Sequence, residues 1–339
     1  MADRKLGFGV TEGGIGYELA FAAAKHAGIQ FIELPQQWDD IESSPGDYAS
    51  EFIAMADEVY PALGTSIVLS LNPIDTTTLR VPKHLRDKSW QSDQRIESYC
   101  NWVDWTIAQL PNATIEAISV GNEVDVWLST HPDQIDDYAI FFAAVAKHIH
   151  ANHPGIPVGV KMTYDGRNGD QSNDLTSIDL PADVCMLTYY PLDQTFQVRP
   201  PETIRRDFDA MVKIAGGKPI HLLETGYPSG EICGSSPARQ AKYIDQLFEA
   251  WDMHIDHFRL INLVWTHDLS AADAESLTTY YNTDQPAFTA YLSTLGLHDH
   301  HGTPKPAWHR IRKNVRQRAQ KSKKSPSSES RQDSRPPDE

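Results

Sequence analysis

Short apolar runs alternate along this chain with longer stretches in which apolar residues recur every three or four positions. The short runs, at 6–10, 29–34, 66–71, 115–120, 157–162, 184–190, 219–224 and 260–265, read as strands. The amphipathic stretches between them, at 16–26, 49–60, 93–110, 134–150, 203–215 and 237–253, read as helices, and 287–295 closes the set. One interval breaks the rule: 164–178 is rich in Asp, Asn and Gly and has little helical character. Continuous apolar strands separated by amphipathic helices imply a parallel sheet covered by helices. Eight such units predict an α/β fold of the (β/α)8 TIM barrel type, spanning residues 1–311 as a single domain. A doubly wound open sheet is the structural alternative. It calls for a G-x-G-x-x-G turn after the first strand, which Gly7-Phe8-Gly9 and Gly13-Gly14-Ile15-Gly16 do not supply.

The segment after the barrel has a different composition. Residues 312–339 begin with Arg and Lys and end in Ser, Pro and Asp/Glu, which predicts a basic tail, disordered from about Ser322 and solvated. The whole chain carries a formal net charge of −16, so nucleic acid and anionic membranes are unfavourable partners for the barrel. No run approaches the length of a membrane span. Three cysteines, Cys100, Cys185 and Cys233, form neither a disulfide framework nor a zinc signature. With no apolar leader before the first strand, the expected location is cytoplasmic, or secreted if a leader has been removed. The expected state is a monomer.

In a barrel the reacting groups sit at the C-terminal ends of the strands. Those positions hold Glu33, Asn72, Asn122, Glu123, Tyr190, Glu224 and Trp265, with Trp38 and Asn262 nearby. They show no His or Cys cluster of the metallohydrolase type, and no metal or other cofactor is expected. An isolated carboxylate at the end of a buried strand is costly unless it is paired, solvated or used. Two such carboxylates, Glu123 and Glu224, are what is needed to break a glycosidic bond between them. Asp165, Asn168, Asp170, Asn173 and Asp174 form a calcium-like donor mix without EF-hand spacing, and the segment reads as a solvated loop. His298-Asp299-His300-His301 reads as a polar turn.

Val120-Gly121-Asn122-Glu123, Glu224 and Trp265 together resemble the clan A glycoside hydrolases. Leu223-Glu224-Thr225-Gly226-Tyr227-Pro228-Ser229 is similar to the Glu-Thr-Gly-Trp-Pro-Ser segment of endo-β-1,3-glucanases. Thr188-Tyr189-Tyr190-Pro191 is similar to strand six of those enzymes and of the β-1,4-galactanases. The segment Trp38-Asp39-Asp40-Ile41-Glu42 resembles a loop after strand two in several clan members. The resemblance implies a retaining glycoside hydrolase that acts on a β-linked glycan or oligosaccharide. In that reading Glu123 is the acid/base and Glu224 the nucleophile. Asn122 bonds the sugar 2-hydroxyl, Tyr190 orients Glu224, Trp265 floors the sugar site, and Trp38 and Asn72 contribute to substrate binding. The chain departs from the clan on strand two, where Ile29-Gln30-Phe31-Ile32-Glu33-Leu34 lacks the Arg that steadies the nucleophile in many members. Glu33 is read instead as a structural ion-pair member. A carbohydrate-binding barrel without turnover is the alternative function.

Overall fold

The computed structural model describes residues 4–169 and 174–324. Its strands are β1 (Lys5–Gly9), β2 (Phe31–Gln37), β3 (Ser66–Asp75), β4 (Ile115–Asn122), β5, β6 (Cys185–Tyr189), β7 (Ile220–Thr225) and β8 (Phe258–Val264). β5 is broken at Val160 into Val158–Gly159, which pairs with β4, and Lys161–Thr163, which pairs with β6. Each strand lies parallel to its neighbours, and β1 pairs with both β2 and β8, so the ring closes through β5. This is the (β/α)8 barrel that the periodicity predicts.

The longer helices are α1 (Tyr17–Ala27), α2 (Glu51–Ala62), α3 (Asp93–Ala108), α4 (Ile135–Asn152), α5 (Ile204–Ala215), α6 (Pro237–Met253), α7 (Ala271–Tyr280), α8 (Pro286–Ser293) and α9 (Pro306–Lys324). Local chemistry starts several of them. The hydroxyls of Ser50, Ser92, Ser236 and Ser270 each accept an N–H three residues on, and Pro237 follows its cap directly. Among the described residues the fifth unit has only the short helices Tyr164–Asn168 and Thr176–Asp179, in keeping with its polar sequence.

Alternation along the strands divides the core in two. Phe31, Val68, Ala117, Met186, Leu223 and Leu260 meet inside the ring, while their neighbours face the helices. The interior is tight at β1. A side chain on Gly7 would meet the Phe31 ring at 2.6 Å and the Asn262 amide oxygen at 2.8 Å.

Three features depart from the expected elements. β2 continues through Pro35 to Gln37, and β3 continues through Pro73 to Asp75, so both reach further over the barrel mouth. α7 is absent from the sequence reading because its apolar positions show little helical periodicity; Ser270 and the acidic first turn define it instead. α9 runs through the first part of the basic segment, and Arg318 anchors it by pairing with Asp252 on α6 at 2.7 Å. Residues 325–339, which belong to the expected disordered tail, lie outside the described residues. No helix among the described residues is long and apolar enough to cross a membrane.

Candidate active site

Backbone irregularities aim both carboxylates. On β7, Leu222 pairs with Leu187 but Glu224 pairs with Thr188, so the register slips by one residue at Leu223. Against β8 the register shifts twice, between Ile220 and His221 and again between Leu222 and Thr225, and the second shift spans the same residues. Simple alternation from the inward Leu223 would send Glu224 outward; the slip brings it to the axis. The Asn262 amide donates to the Leu223 carbonyl at 2.9 Å inside the irregularity. At the end of β4 the turn is made by Gly121 and Glu123, at φ 92° and 45°. A side chain on Gly121 would lie 2.4 Å from the Val124 methyl, so glycine is required there on two counts.

Glu224 is gripped at both oxygens. Lys161 Nζ on β5 donates to Oε1 at 2.9 Å, and the Tyr190 hydroxyl donates to Oε2 at 2.8 Å. Lys161 also binds Glu33 on β2, and its side chain is only 3% exposed. Burial opposes the charge on Lys161, but Glu224 and Glu33 together outweigh it and hold the ammonium protonated. Burial likewise pushes Glu33 above the ordinary carboxylate range, opposed by Lys161. Sequence reasoning placed Glu33 correctly as an ion-pair member and missed its partner. The available signal was a single Lys inside the apolar run Val158-Gly159-Val160-Lys161-Met162, which had to find a counter-charge.

Glu123 faces the same cavity in a different setting. Its oxygens accept from Thr188 at 2.7 Å and Thr76 at 3.0 Å, and among the described residues no cation bonds to it. Burial first, and the nearby charge of Glu224 second, push its pKa up to about 8. One carboxyl is thus held against an ammonium and the other favours its protonated form, the division of labour that acid and nucleophile require. Both line a cavity of about 470 Å3 together with Tyr190 and Trp265.

The remaining expected residues separate. Tyr190 and Trp265 are in the cavity wall, and the ring of Tyr291 packs edge-on to Tyr190 at 5.3 Å. The Asn122 amide nitrogen donates to Asp75 Oδ1 at 2.7 Å, and its oxygen is buried. Asn72 is inside the extended β3, 1% exposed. Trp38 is fully buried, stacked on Trp102 at 5.9 Å, with its indole N–H donated to Glu42 at 2.7 Å. These geometries correct the expectation that Trp38 and Asn72 touch substrate: Trp38 fills the space between β2 and α3, and Asn72 precedes the true strand end. His298 is buried and stacks on His267 at 4.6 Å, a packing role. Asp170 and Asn173 of the calcium-like mix lie outside the described residues, and among the described residues no cluster of His, Cys, Asp or Glu could hold a metal ion.

No protein-family model matches the sequence, and no curated protein matches it either. Solved structures do match. An exo-β-1,4-mannosidase from an Opitutaceae bacterium, strain TAV5, superposes with a TM-score of 0.73 at 15% identity, over 96% of this chain. This chain spans 61% of the length of that mannosidase. A GH5_18 protein from Streptomyces cattleya, solved with GlcNAc, gives 0.69 at 15% identity, covering 96% of this chain and 82% of the other. A fungal β-1,4-galactanase gives 0.64 at 14% identity, covering 92% and 100%. At these identities the likeness is one of fold: this chain shares its (β/α)8 barrel with the mannosidase, the GH5_18 protein and the galactanase.

Proposed function

We propose that the chain is a retaining glycoside hydrolase that cleaves a β-linked glycoside by double displacement. The observation that carries this reading is the contrast between the two carboxyls in one cavity. Glu224 is fixed by Lys161 and Tyr190, while Glu123 has a raised affinity for its proton. The glycoside hydrolase neighbours and Trp265 in the wall add support.

In the first step Glu224 attacks the anomeric carbon as Glu123 gives its proton to the departing oxygen. The product is a glycosyl-enzyme ester. Glu123, now ionised, takes a proton from water, which attacks the same carbon and releases Glu224. The Lys161 ammonium and the Tyr190 hydroxyl keep Glu224 aligned and take up its returning charge. Trp265 offers an aromatic face to the C–H side of the sugar. The neighbours' names, β-mannosidase and β-galactanase, make β-linked hexosides the first substrates to try.

The direct test is a panel of aryl β-glycosides and β-linked oligosaccharides, with the first-formed sugar anomer read by proton NMR. Release of the β-anomer, mutarotating afterwards, is the expected result. First release of the α-anomer would exclude a glycosyl-enzyme on Glu224. Binding with no hydrolysis would favour the carbohydrate-binding alternative.

A pH profile tests the acid separately. Because the Glu123 pKa is raised, the working acid is present below about pH 8 and is lost above it. For substrates with a poor leaving group, kcat/KM is therefore expected to fall on the alkaline side with a midpoint near 8. Aryl glycosides whose leaving group needs no proton should show little of that fall. A profile with the same alkaline limb for both substrates would remove Glu123 from the acid role.

A further inference from the structure

Two threonine hydroxyls grip Glu123, one at each oxygen. Thr188 of β6 donates to Oε1 at 2.7 Å, and Thr76, just past β3, donates to Oε2 at 3.0 Å. Irregular backbone puts both there. Between β3 and β4, Leu71 is level with Val120 but Asp75 is level with Asn122, so β3 spends four steps where β4 spends two. The extra length carries Thr76 up to Glu123, and its N–H donates to the Asn122 carbonyl at 2.9 Å. Thr188 is 2% exposed and pairs with Glu224 at the slip in β7.

Thr76 has φ 51°. A β-branched residue is an outlier in that region, and backbone held there against its preference points to a use for the side chain. The neighbours fix the direction of its hydroxyl. Asn122 Nδ2 donates to Asp75 Oδ1 at 2.7 Å and to Thr76 Oγ1 at 3.4 Å. Asp75 is steadied in turn by Gln37 at 3.0 Å and Tyr280 at 2.7 Å. Thr76 therefore takes a hydrogen from Asn122 and gives its own to Glu123.

Two hydroxyl donors suit a carboxylate better than a carboxylic acid. An ionised carboxyl only accepts, and it can take both hydrogens; a protonated one carries a hydrogen that one of the hydroxyls must turn to meet. Thr76 is set by Asn122, so the turning falls to Thr188. Thr188 lines the compartment of about 560 Å3 that contains Thr163, Asp165 and Arg199 but not Glu224. Thr76 lines the one that contains Glu224. The leaving group and the attacking water both approach the anomeric carbon from the side away from Glu224, which is the Thr188 side.

We infer that Thr76 and Thr188 are positioning residues for the second step. They hold Glu123 in the ionised form that takes the proton from water, with Oε2 anchored by Thr76 and Oε1 left to exchange the proton. In that step a water O–H bond breaks, its proton passes to Oε1, and its oxygen bonds to the anomeric carbon. The ester bond to Glu224 breaks, and its electron pair returns to that carboxylate. The inference rests on the proposed hydrolase function. Other groups also set the charge of Glu123. Burial and then Glu224 on β7 favour its protonated form, as does Asp125 two residues on, while the Thr188 bond and Lys161 on β5 oppose them. Tyr190, Tyr281 and Tyr291 share the cavity with it.

The experiment compares full-length wild type with Thr188→Val, Thr188→Ser and Thr76→Gly, on the sugar found active in the panel. Its dinitrophenyl glycoside needs no acid in the first step, so the second step is expected to limit kcat. Thr188→Val should lower that kcat about 10- to 100-fold, with KM falling alongside and kcat/KM nearly unchanged, because the glycosyl-enzyme accumulates. Losing a donor to the carboxylate raises the proton affinity of Glu123. The acid limb of kcat on the dinitrophenyl glycoside, and the alkaline limb of kcat/KM on an alkyl glycoside, should each move up by about one pH unit. Thr188→Ser keeps the hydroxyl and should restore both. Thr76→Gly suits φ 51° better, so the same shifts are expected with no fall in Tm. Unmoved limbs in Thr188→Val and Thr76→Gly, beside an active wild type, would overturn the inference. So would kcat and kcat/KM falling together with loss of Tm, the mark of packing alone. A wild type inactive on every glycoside would instead remove the hydrolase reading, and this one with it.

Discussion

Glu224→Ala is expected to lower kcat by about 10,000-fold or more, equivalent to ~5 kcal/mol of transition-state stabilisation. Added azide should then restore turnover and yield an α-glycosyl azide. The structure gives a reason for the rescue. Truncation empties the space of one carboxyl while Lys161 and Tyr190, its two donors, stay in place. Lys161 remains fixed by Glu33, so a small anion meets an ammonium and a hydroxyl already aimed at the vacated position. Glu224→Gln fills that space with an amide and should be as inactive but poorly rescued. The measurement is steady-state release from an activated aryl glycoside with and without azide, with the product identified by NMR. An Ala variant that keeps more than about a tenth of wild-type kcat without azide would show that Glu224 is not the nucleophile.

Lys161→Met should have the next largest effect, a loss of about 100- to 1,000-fold in kcat with a smaller change in KM. The substitution removes the one cation between two carboxylates in the barrel interior, and Glu33 and Glu224 are left with no counter-charge. Breaking a buried pair in this way typically costs about 3–5 kcal/mol of stability, so thermal unfolding has to be followed beside the kinetics. The pH profile separates the two roles. Two carboxylates left without their cation hold a shared proton to higher pH, so the acid limb of kcat/KM should move toward alkali. A loss of stability with an unmoved acid limb would make Lys161 structural only. Glu33→Gln combined with Lys161→Met removes one of the two uncompensated charges. It should recover part of the stability while kcat stays low.

Much of the scaffold was legible because its information is local. Each strand is a run of apolar residues, and the helices along the barrel side have their own stripes and in several cases their own serine caps. Glu123 and Glu224 were legible for a related reason: each ends such a run, where a carboxylate is otherwise unfavourable. What could not be read depends on contacts between distant segments. The partner of Lys161 is fixed by ring closure, which brings β2, β5 and β7 to one axis. Trp38 looks from its neighbours like a loop aromatic, and only the indole of Trp102 on α3, lying parallel to it, makes it core. Asn122 stands where the clan resemblance implies a sugar contact, yet Asp75 claims its amide because β3 runs past Asn72 to reach it. The α7 segment escaped notice because it packs over the barrel mouth rather than along the barrel side, and its sequence carries only a weak apolar stripe.

β5 illustrates how freedom of design arises in a closed ring. A flat sheet ranks its strands by distance from one another, and a charge on one edge cannot serve the opposite edge. A ring has a centre from which its staves are about equally far. The cation that steadies the carboxylate of β7 can then be drawn from any inward position at that height, here Lys161 on β5, while β2 supplies the acidic Glu33. The electrostatic partner of the nucleophile is in this sense an attribute of a point in space. A stave can surrender that task to another without the axis losing its cation.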